Sequence, residues 1–276
     1  MTRTHIALLA ALAVLPGRAP GQEARHLFTP LLADPKQPHF FAAWLWIESP
    51  TLTGQVSSIG LGEDIVLVRG EGSRWEVSVA AAVFSQFNMR TSSNDLINTD
   101  FVIGFPLARD FGAVSARLRV YHQSSHLGDE FILSTNPERV NLSFEAVELL
   151  VARDIGSVRA YAGGEYIVRH EPEDMKPGLL HGGVEYRQPR RSAGIVRLPG
   201  LGAGRLIAGL DAKSTQERRW GVGWSARAGV EFETVPERQG LRLFSIQVQA
   251  YSGPAPYGQF YQENLRTIGL GIHLGL

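Results

Sequence analysis

Long runs of alternating residues constrain the fold of this chain more than any other feature of its sequence. Along residues 220–233, one set of alternate positions is entirely apolar and the other is glycine, serine, arginine or glutamate. Successive side chains of a strand point to opposite faces, so a period of two predicts a strand with one apolar face. The same pattern recurs along residues 158–169, 241–252 and 266–276. We therefore expect an all-β protein.

The alternating runs are long for a protein that folds in water. They extend over 10–14 residues, whereas strands of globular proteins are usually about 5–6 residues long. A tilted strand that crosses a bilayer needs about 9–11 residues. Twelve strands can be predicted between residues 40 and 276, and single-chain bacterial barrels have an even number of strands. The sequence therefore predicts an antiparallel, up-and-down transmembrane β-barrel of about 12 strands.

The composition excludes several classes of function. The chain has 27 basic and 27 acidic residues, so it lacks the excess of positive charge that attracts nucleic acid. It has no cysteine, which excludes thiol catalysis, disulfides and cysteine-ligated metal centres. The 30 glycines fall largely in turns and on the polar side of the strands. We expect them to relieve crowding on the inner face of a narrow barrel.

The first residues have the features of an export signal. Arg3 precedes an uninterrupted apolar run over residues 6–15, and small residues follow it. This run is too short to span a hydrocarbon core of about 30 Å as a helix, but it matches the apolar region of a signal peptide. We predict cleavage between Ala19 and Ala24.

The domain organisation follows from these patterns. We expect a signal peptide over residues 1–21, an extended periplasmic lead-in over residues 22–39 and a β-barrel domain over residues 40–276. An exported barrel with apolar strand faces is predicted to reside in the bacterial outer membrane. The alternative is an exported, soluble β-protein whose apolar strand faces enclose a core.

The polar side of the strands predicts charges inside the barrel. Ion pairs that fill a narrow lumen are the simpler interpretation, and a selective pore is the other. The charged residues with this parity are Arg117, Arg119, Glu165, Arg169, Glu185, Arg187, Arg227 and Glu231.

One predicted strand carries polar residues on its apolar side. Alternation there places His122 and Ser124 toward lipid, where polar groups are costly at the membrane midplane and tolerated at the interface. The two residues lie about 7 Å apart along one face, so the imidazole can act as a base on the hydroxyl. A third group must orient the imidazole, and the returning strand offers Glu145 first and Asn141 second. Without chemistry, His122 and Ser124 would form an interfacial hydrogen-bonded pair.

The segment that follows this strand is rich in possible ligands. His126, Asp129 and Glu130 lie within five residues of one another. They could bind a divalent cation such as Ca²⁺, and otherwise they are solvated loop residues. The sequence predicts no other metal site and no cofactor.

Three segments of the chain resemble a bacterial family described as a domain of unknown function. They are FTPLLADP (28–35), YHQSSHLGDE (121–130) and NLSFEAVELL (141–150). The resemblance covers most of the chain after the signal peptide, and YHQSSHLGDE is its most specific part. It implies a shared fold and an export signal, without a known activity.

The triplet from His122 to Ser124 is also similar to the His-x-Ser element of outer-membrane phospholipase A and lipid A deacylase barrels. In those families the element lies on an outward strand face, and an Asn or Glu on the next strand completes the site. The resemblance implies that Ser124 is the nucleophile, that His122 is the base, and that Glu145 or Asn141 orients it. The sequence departs from those families in the dipeptide after the serine and in the longer spacing to Glu145.

These observations leave two main functions open. One is a structural, binding or porin-like barrel without catalysis, and the other is an acyl hydrolase that acts on lipid of the outer leaflet. The expected partner is outer-membrane lipid, not nucleic acid. The sequence indicates no particular oligomeric state.

Overall fold

A computed structural model of the protein describes residues 26–275, apart from residues 71, 73, 138, 190–193, 199–200 and 234–242. The predicted signal peptide lies outside the described residues. Strands account for most of the described chain, together with one short α-helix, α1 (Asp129–Thr135), and one 3₁₀ turn (Gly258–Phe260). Within the described part of the chain, no helix is long and apolar enough to span a membrane.

The described strands follow one another in the order expected of an up-and-down barrel. Their bounds are β1 (Phe40–Glu48), β2 (Thr53–Arg69), β3 (Trp75–Asn88), β4 (Leu96–Asp110), β5 (Val114–Leu127), β6 (Leu142–Ile155), β7 (Val158–Glu171), β8 (Gly178–Arg187), β9 (Val196–Arg197), β10 (Ala203–Thr215), β11 (Gly221–Glu233), β12 (Leu243–Pro254) and β13 (Asn264–Leu274).

Pairing of the first strand with the last closes the sheet. β1 pairs antiparallel with β2 on one side and with β13 on the other, from Phe40 opposite Leu274 to Glu48 opposite Arg266. β9 has two residues and pairs only with the start of β10, so β8 pairs directly with β10. Twelve strands therefore form the wall, which confirms the prediction of an all-β, antiparallel barrel of about 12 strands.

Alternation along each strand separates an outer from an inner face. In β1, Trp44 and Trp46 are 50% and 47% exposed, whereas Ala43, Leu45 and Ile47 between and beside them are buried. The two faces of a strand differ in this way because successive side chains point to opposite sides of the sheet.

The outer face is apolar around the circumference of the barrel. Exposing apolar surface to water costs about 25 cal/mol per Å², so this exterior is suited to an apolar solvent. Exposed apolar side chains include Leu61 and Ile65 of β2, Phe105 of β4, Leu118 and Val120 of β5, Leu149 of β6, Tyr166 of β7, Leu180 of β8, Leu210 of β10, Trp224 of β11, Val248 of β12 and Ile268 of β13.

The chain before β1 lies inside the barrel. Its apolar residues Phe28, Leu31 and Leu32 are at most 4% exposed, and Phe28 and Leu31 pack with inward-facing residues of the wall. The sequence predicts an extended periplasmic lead-in over residues 22–39. Residues 26–39 instead occupy the lumen, where their apolar side chains are removed from water. We call residues 26–39 the luminal segment.

Charged residues of the luminal segment bind opposite charges of the wall. Asp34 accepts a hydrogen bond from Lys213 Nζ of β10 at 2.6 Å, and Lys36 pairs with Asp100 of β4. Both carboxylates are almost completely buried. A buried charge without a partner is strongly destabilising, so these pairs fix the segment in place.

The wall itself contributes further ion pairs to the lumen. Glu148 of β6 accepts hydrogen bonds from Arg117 Nε at 3.0 Å and from Arg119 Nη2 at 2.7 Å, both on β5. The prediction that charges pair inside the barrel is thereby confirmed for these two arginines. Two other residues predicted to face the lumen are also buried, Glu185 and Arg227.

Candidate functional site

Neighbouring strands place polar side chains on the outside of the barrel, near the end opposite to Phe40 and Leu274. Along β5, Gln123 and Ser125 are buried in the lumen, whereas His122 and Ser124 are partly exposed on the outer face. This is the orientation that the alternation in the sequence predicts.

His122 is hydrogen-bonded to a carboxylate of the next strand. Glu145 of β6 is its partner in the strand register, and His122 Nδ1 lies 3.1 Å from Glu145 Oε1. The two side chains are 40% and 38% exposed. When Nδ1 carries the proton, it donates to the carboxylate and leaves Nε2 as a free base. This is the orientation that a general base in a serine hydrolase requires.

Ser124 shares the outer face with this pair. Ser124 is two residues beyond His122 along β5. Its register partners are Ser143 on β6 and Phe101 on β4. Within the described part of the chain, the Ser124 hydroxyl forms no hydrogen bond with the imidazole. Catalytic hydrogen bonds of this kind are often long or poorly aligned in the absence of substrate.

Asn141, the second choice for the orienting group, lies just before β6 and is directed elsewhere. Its Nδ2 donates to Glu171 Oε2 at 2.9 Å. The structure therefore brings Glu145 to His122, and not Asn141.

The end of β5 is held in place from inside the barrel. Ser125 donates to the buried carboxylate of Asp100, which also pairs with Lys36 of the luminal segment. Gln259, beyond β12, donates through its backbone N–H to Ser125 Oγ at 3.1 Å and through its side chain to Ser125 O at 2.7 Å. Sequence analysis does not identify Asp100 and Gln259, because they reach β5 only through contacts distant in the sequence.

The three residues that could bind a cation are not brought together. His126 is exposed at the end of β5, with its ring edge-on to Phe101. Asp129 and Glu130 are exposed in the first turn of α1. Among the described residues, no group of three or more His, Asp or Glu side chains could hold a metal ion. The sequence expectation of a divalent-cation site therefore has no support in this geometry.

Arg169 of β7 extends the polar region beyond Glu145. The register of β6 with β7 shifts at a β-bulge: Ala146 is opposite Ile167, but Glu145 is opposite Arg169. Val168 is the extra residue, so Arg169 shares the outer face of Glu145 and is exposed. The prediction that Arg169 faces the lumen is wrong because a bulge reverses the alternation beyond it.

Together these residues form a small polar region above an apolar wall. Toward the middle of the barrel, the neighbouring outer residues are apolar, such as Val120 and Tyr166. We call this region the outer polar patch, and it consists of His122, Ser124, Glu145 and Arg169.

A closed twelve-strand barrel with an apolar exterior is the architecture of outer-membrane proteins. The chain belongs to the family described as "Protein of unknown function (DUF1207)", which matches residues 7–276. The family resemblance seen in the sequence is thereby confirmed. No curated protein matches the chain.

Solved structures of outer-membrane proteins share this fold. The outer membrane phospholipase A from Escherichia coli is 16% identical, with a TM-score of 0.56 over 92% of this chain and 94% of that chain. The phospholipase dimer with bound calcium from Salmonella typhi is 12% identical, with a TM-score of 0.58 over 87% of this chain and 93% of that chain. At these identities, the likeness establishes the fold alone.

Proposed function

We propose that the protein is an outer-membrane acyl hydrolase that cleaves an ester of a membrane lipid. In this proposal Ser124 is the nucleophile, His122 is the general base and Glu145 orients His122. The observation that carries the proposal is the 3.1 Å contact between His122 Nδ1 and Glu145 Oε1 on the outer face, two residues from Ser124. The same fold is found in an outer membrane phospholipase A.

The outer polar patch is proposed to lie at the level of the lipid headgroups in the outer leaflet. Connections at its end of the barrel include the long ones over residues 89–95, 128–141 and 255–263. Those at the other end include the two shortest, over residues 111–113 and 156–157, and one long exception over residues 188–202, which contains β9. Outer-membrane barrels have short turns on the periplasmic side and longer loops outside.

In the proposed reaction these groups act in turn. As the Ser124 Oγ–H bond breaks, the proton passes to His122 Nε2 and Oγ bonds to the carbonyl carbon of the ester. Glu145 accepts the hydrogen bond from Nδ1 and stabilises the imidazolium. The C–O bond to the lipid alcohol then breaks, and the alcohol takes the proton from Nε2. Water releases the acyl group from Ser124 by the same steps, again with His122 as base.

The arrangement of the lumen disfavours the porin-like alternative. The luminal segment occupies part of the lumen and is bound to the wall through Asp34 and Lys36. A substrate that approaches the outer polar patch from the surrounding lipid has no need of a path through the lumen. The apolar exterior likewise disfavours a soluble protein, in which such surface would be buried.

Substitution of Ser124 tests the proposal. In mixed micelles of detergent and phospholipid, purified Ser124→Ala should lose acyl-hydrolase activity by a factor on the order of 10³ or more. Ser143→Ala is the matched control, because Ser143 is opposite Ser124 on the same face. It should retain activity within about twofold of the wild-type value.

Two results would contradict the proposal. One is equal activity of the wild-type protein and Ser124→Ala. The other is a folded wild-type protein that releases no fatty acid from phospholipid or from other acyl lipids of the outer membrane.

A further inference from the structure

Arg169 presents an unpaired positive charge on the outer face of the barrel. Its side chain is exposed, and within the described part of the chain its guanidinium forms no hydrogen bond or ion pair. Glu145, its register partner, already accepts a hydrogen bond from His122. Glu171, two residues further along the same face, accepts one from Asn141. Both nearby carboxylates are thus engaged by other groups.

The position of Arg169 relative to Ser124 is set by the strands. His122, Glu145 and Arg169 lie side by side on three neighbouring strands, which are spaced about 4.8 Å apart. Ser124 is two residues beyond His122 on β5 and shares its outer face. A long arginine side chain can therefore reach groups of a lipid that are a few bonds away from an ester held at Ser124.

The environment of Arg169 favours a phosphate group as its anionic partner. A charged side chain on the lipid-facing side is costly at the membrane midplane and tolerated near the headgroups. The headgroups of bacterial acyl lipids carry phosphate, and the planar guanidinium binds phosphate oxygens through two parallel hydrogen bonds. The β-bulge is the feature that turns Arg169 toward this region, and bulges commonly redirect a side chain beside an active site.

We propose that Arg169 binds the phosphate group of the lipid whose ester Ser124 attacks, so that phosphorylated acyl lipids are the preferred substrates. This inference rests on the proposed acyl-hydrolase function. Arg169 takes no part in bond cleavage, and it acts as a binding and positioning residue that selects the substrate class.

The test compares a phosphorylated and a neutral lipid with the same acyl chains. Arg169→Gln should lower kcat/KM for phosphatidylglycerol by about 10–100-fold, as expected for loss of charge-assisted hydrogen bonds. Hydrolysis of diacylglycerol should stay within about twofold, and Arg169→Lys should restore part of the loss. Arg266→Gln is the matched control, because Arg266 is also exposed near the same end of the barrel, on β13. It should affect neither substrate.

A second comparison distinguishes the two sources of lipid phosphate. Lipid A with and without its phosphate groups is offered to the wild-type protein and to Arg169→Gln. A loss confined to phosphatidylglycerol assigns Arg169 to phospholipid, and a loss confined to phosphorylated lipid A assigns it to that lipid. An equal loss on phosphorylated and neutral substrates, or no loss on any, would overturn the proposal.

Binding provides a readout that does not depend on hydrolysis. Native mass spectrometry of Ser124→Ala in detergent should show retained phosphatidylglycerol, and Ser124→Ala/Arg169→Gln should retain at least tenfold less. If the wild-type protein hydrolyses no lipid but this difference is found, the proposed chemistry fails while Arg169 remains a phosphate site. If hydrolysis is found and both variants bind equally, the role of Arg169 is refuted instead.

Discussion

At the scale of single residues, one hydrogen bond joins two side chains that are 23 positions apart in the sequence. His122 and Glu145 meet because β5 and β6 pair in a register that places them opposite each other. Alternation indicates which residues share the outer face, and it also identifies Glu145 as the better candidate. It does not show that Asn141 is bound by Glu171, since that contact depends on β7.

The role of Glu145 can be separated from that of Asn141. Glu145→Gln should lower kcat for lipid hydrolysis by a factor on the order of 10²–10⁴, because a neutral amide stabilises the imidazolium poorly and can favour the wrong tautomer. Asn141→Ala should remain within about threefold of wild type. Initial rates on phospholipid micelles measure both effects. If Asn141→Ala lost all lipid hydrolysis and Glu145→Gln lost none, Asn141 and not Glu145 would be the residue that orients His122.

Alternation in the sequence does not predict the orientation of Arg169. Every second residue of β7 keeps its face up to Ile167, and the extra residue Val168 then reverses the assignment. The residues around Val168 contain no pattern that predicts a bulge. The polar residues beyond it are therefore assigned to the wrong face by any strict period of two.

At the scale of elements, the luminal segment is the part of the fold that the sequence predicts least well. Its prolines and its lack of alternation predict an extended chain, whereas residues 26–39 contain bends and a turn at Pro35 and Lys36. Their placement depends on pairings such as Asp34 with Lys213, separated by 179 positions. Local sequence patterns carry no information about such distant partners. Each of the twelve wall strands, in contrast, is predicted by the sequence within the strand itself.

Removing the luminal segment should open the barrel. A variant without residues 26–37 is expected to give stable conductance steps in planar lipid bilayers. It lacks Asp34 and Lys36, which bind the segment to Lys213 and Asp100 of the wall, so the segment no longer occupies the lumen. The wild-type protein should give none. The control is the migration of unheated samples on a gel, which reports whether the shortened barrel is folded. Equal conductance of the two folded proteins would show that the segment does not seal the lumen.

At the scale of the whole molecule, the distribution of apolar surface is inverted relative to a soluble protein. The lumen contains charged residues in pairs, and the exterior carries large apolar side chains such as Phe105 and Ile268. The balanced overall charge and the mean hydropathy of −0.06 conceal this inversion. It emerges only when the residues are sorted by strand face.

Such an exterior predicts how the isolated protein behaves. The protein should sediment with outer membranes and require detergent for extraction, since apolar side chains cover the outside of its wall. Unheated samples in dodecyl sulfate should migrate differently from boiled ones, because the closed sheet resists the detergent until it is heated. Extraction into plain buffer, or identical migration with and without boiling, would contradict a membrane barrel.

The position of the luminal segment also has a consequence for assembly. Residues 26–39 run directly into β1, and β1 forms the seam of the barrel with β13, which is the last strand of the described chain. At that seam His39 Nε2 and His273 Nδ1 share a hydrogen bond of 2.9 Å. The same contact therefore joins the luminal segment to the strand that shuts the wall. Placement of residues 26–39 in the lumen and closure of the barrel between β1 and β13 are therefore linked through this hydrogen bond.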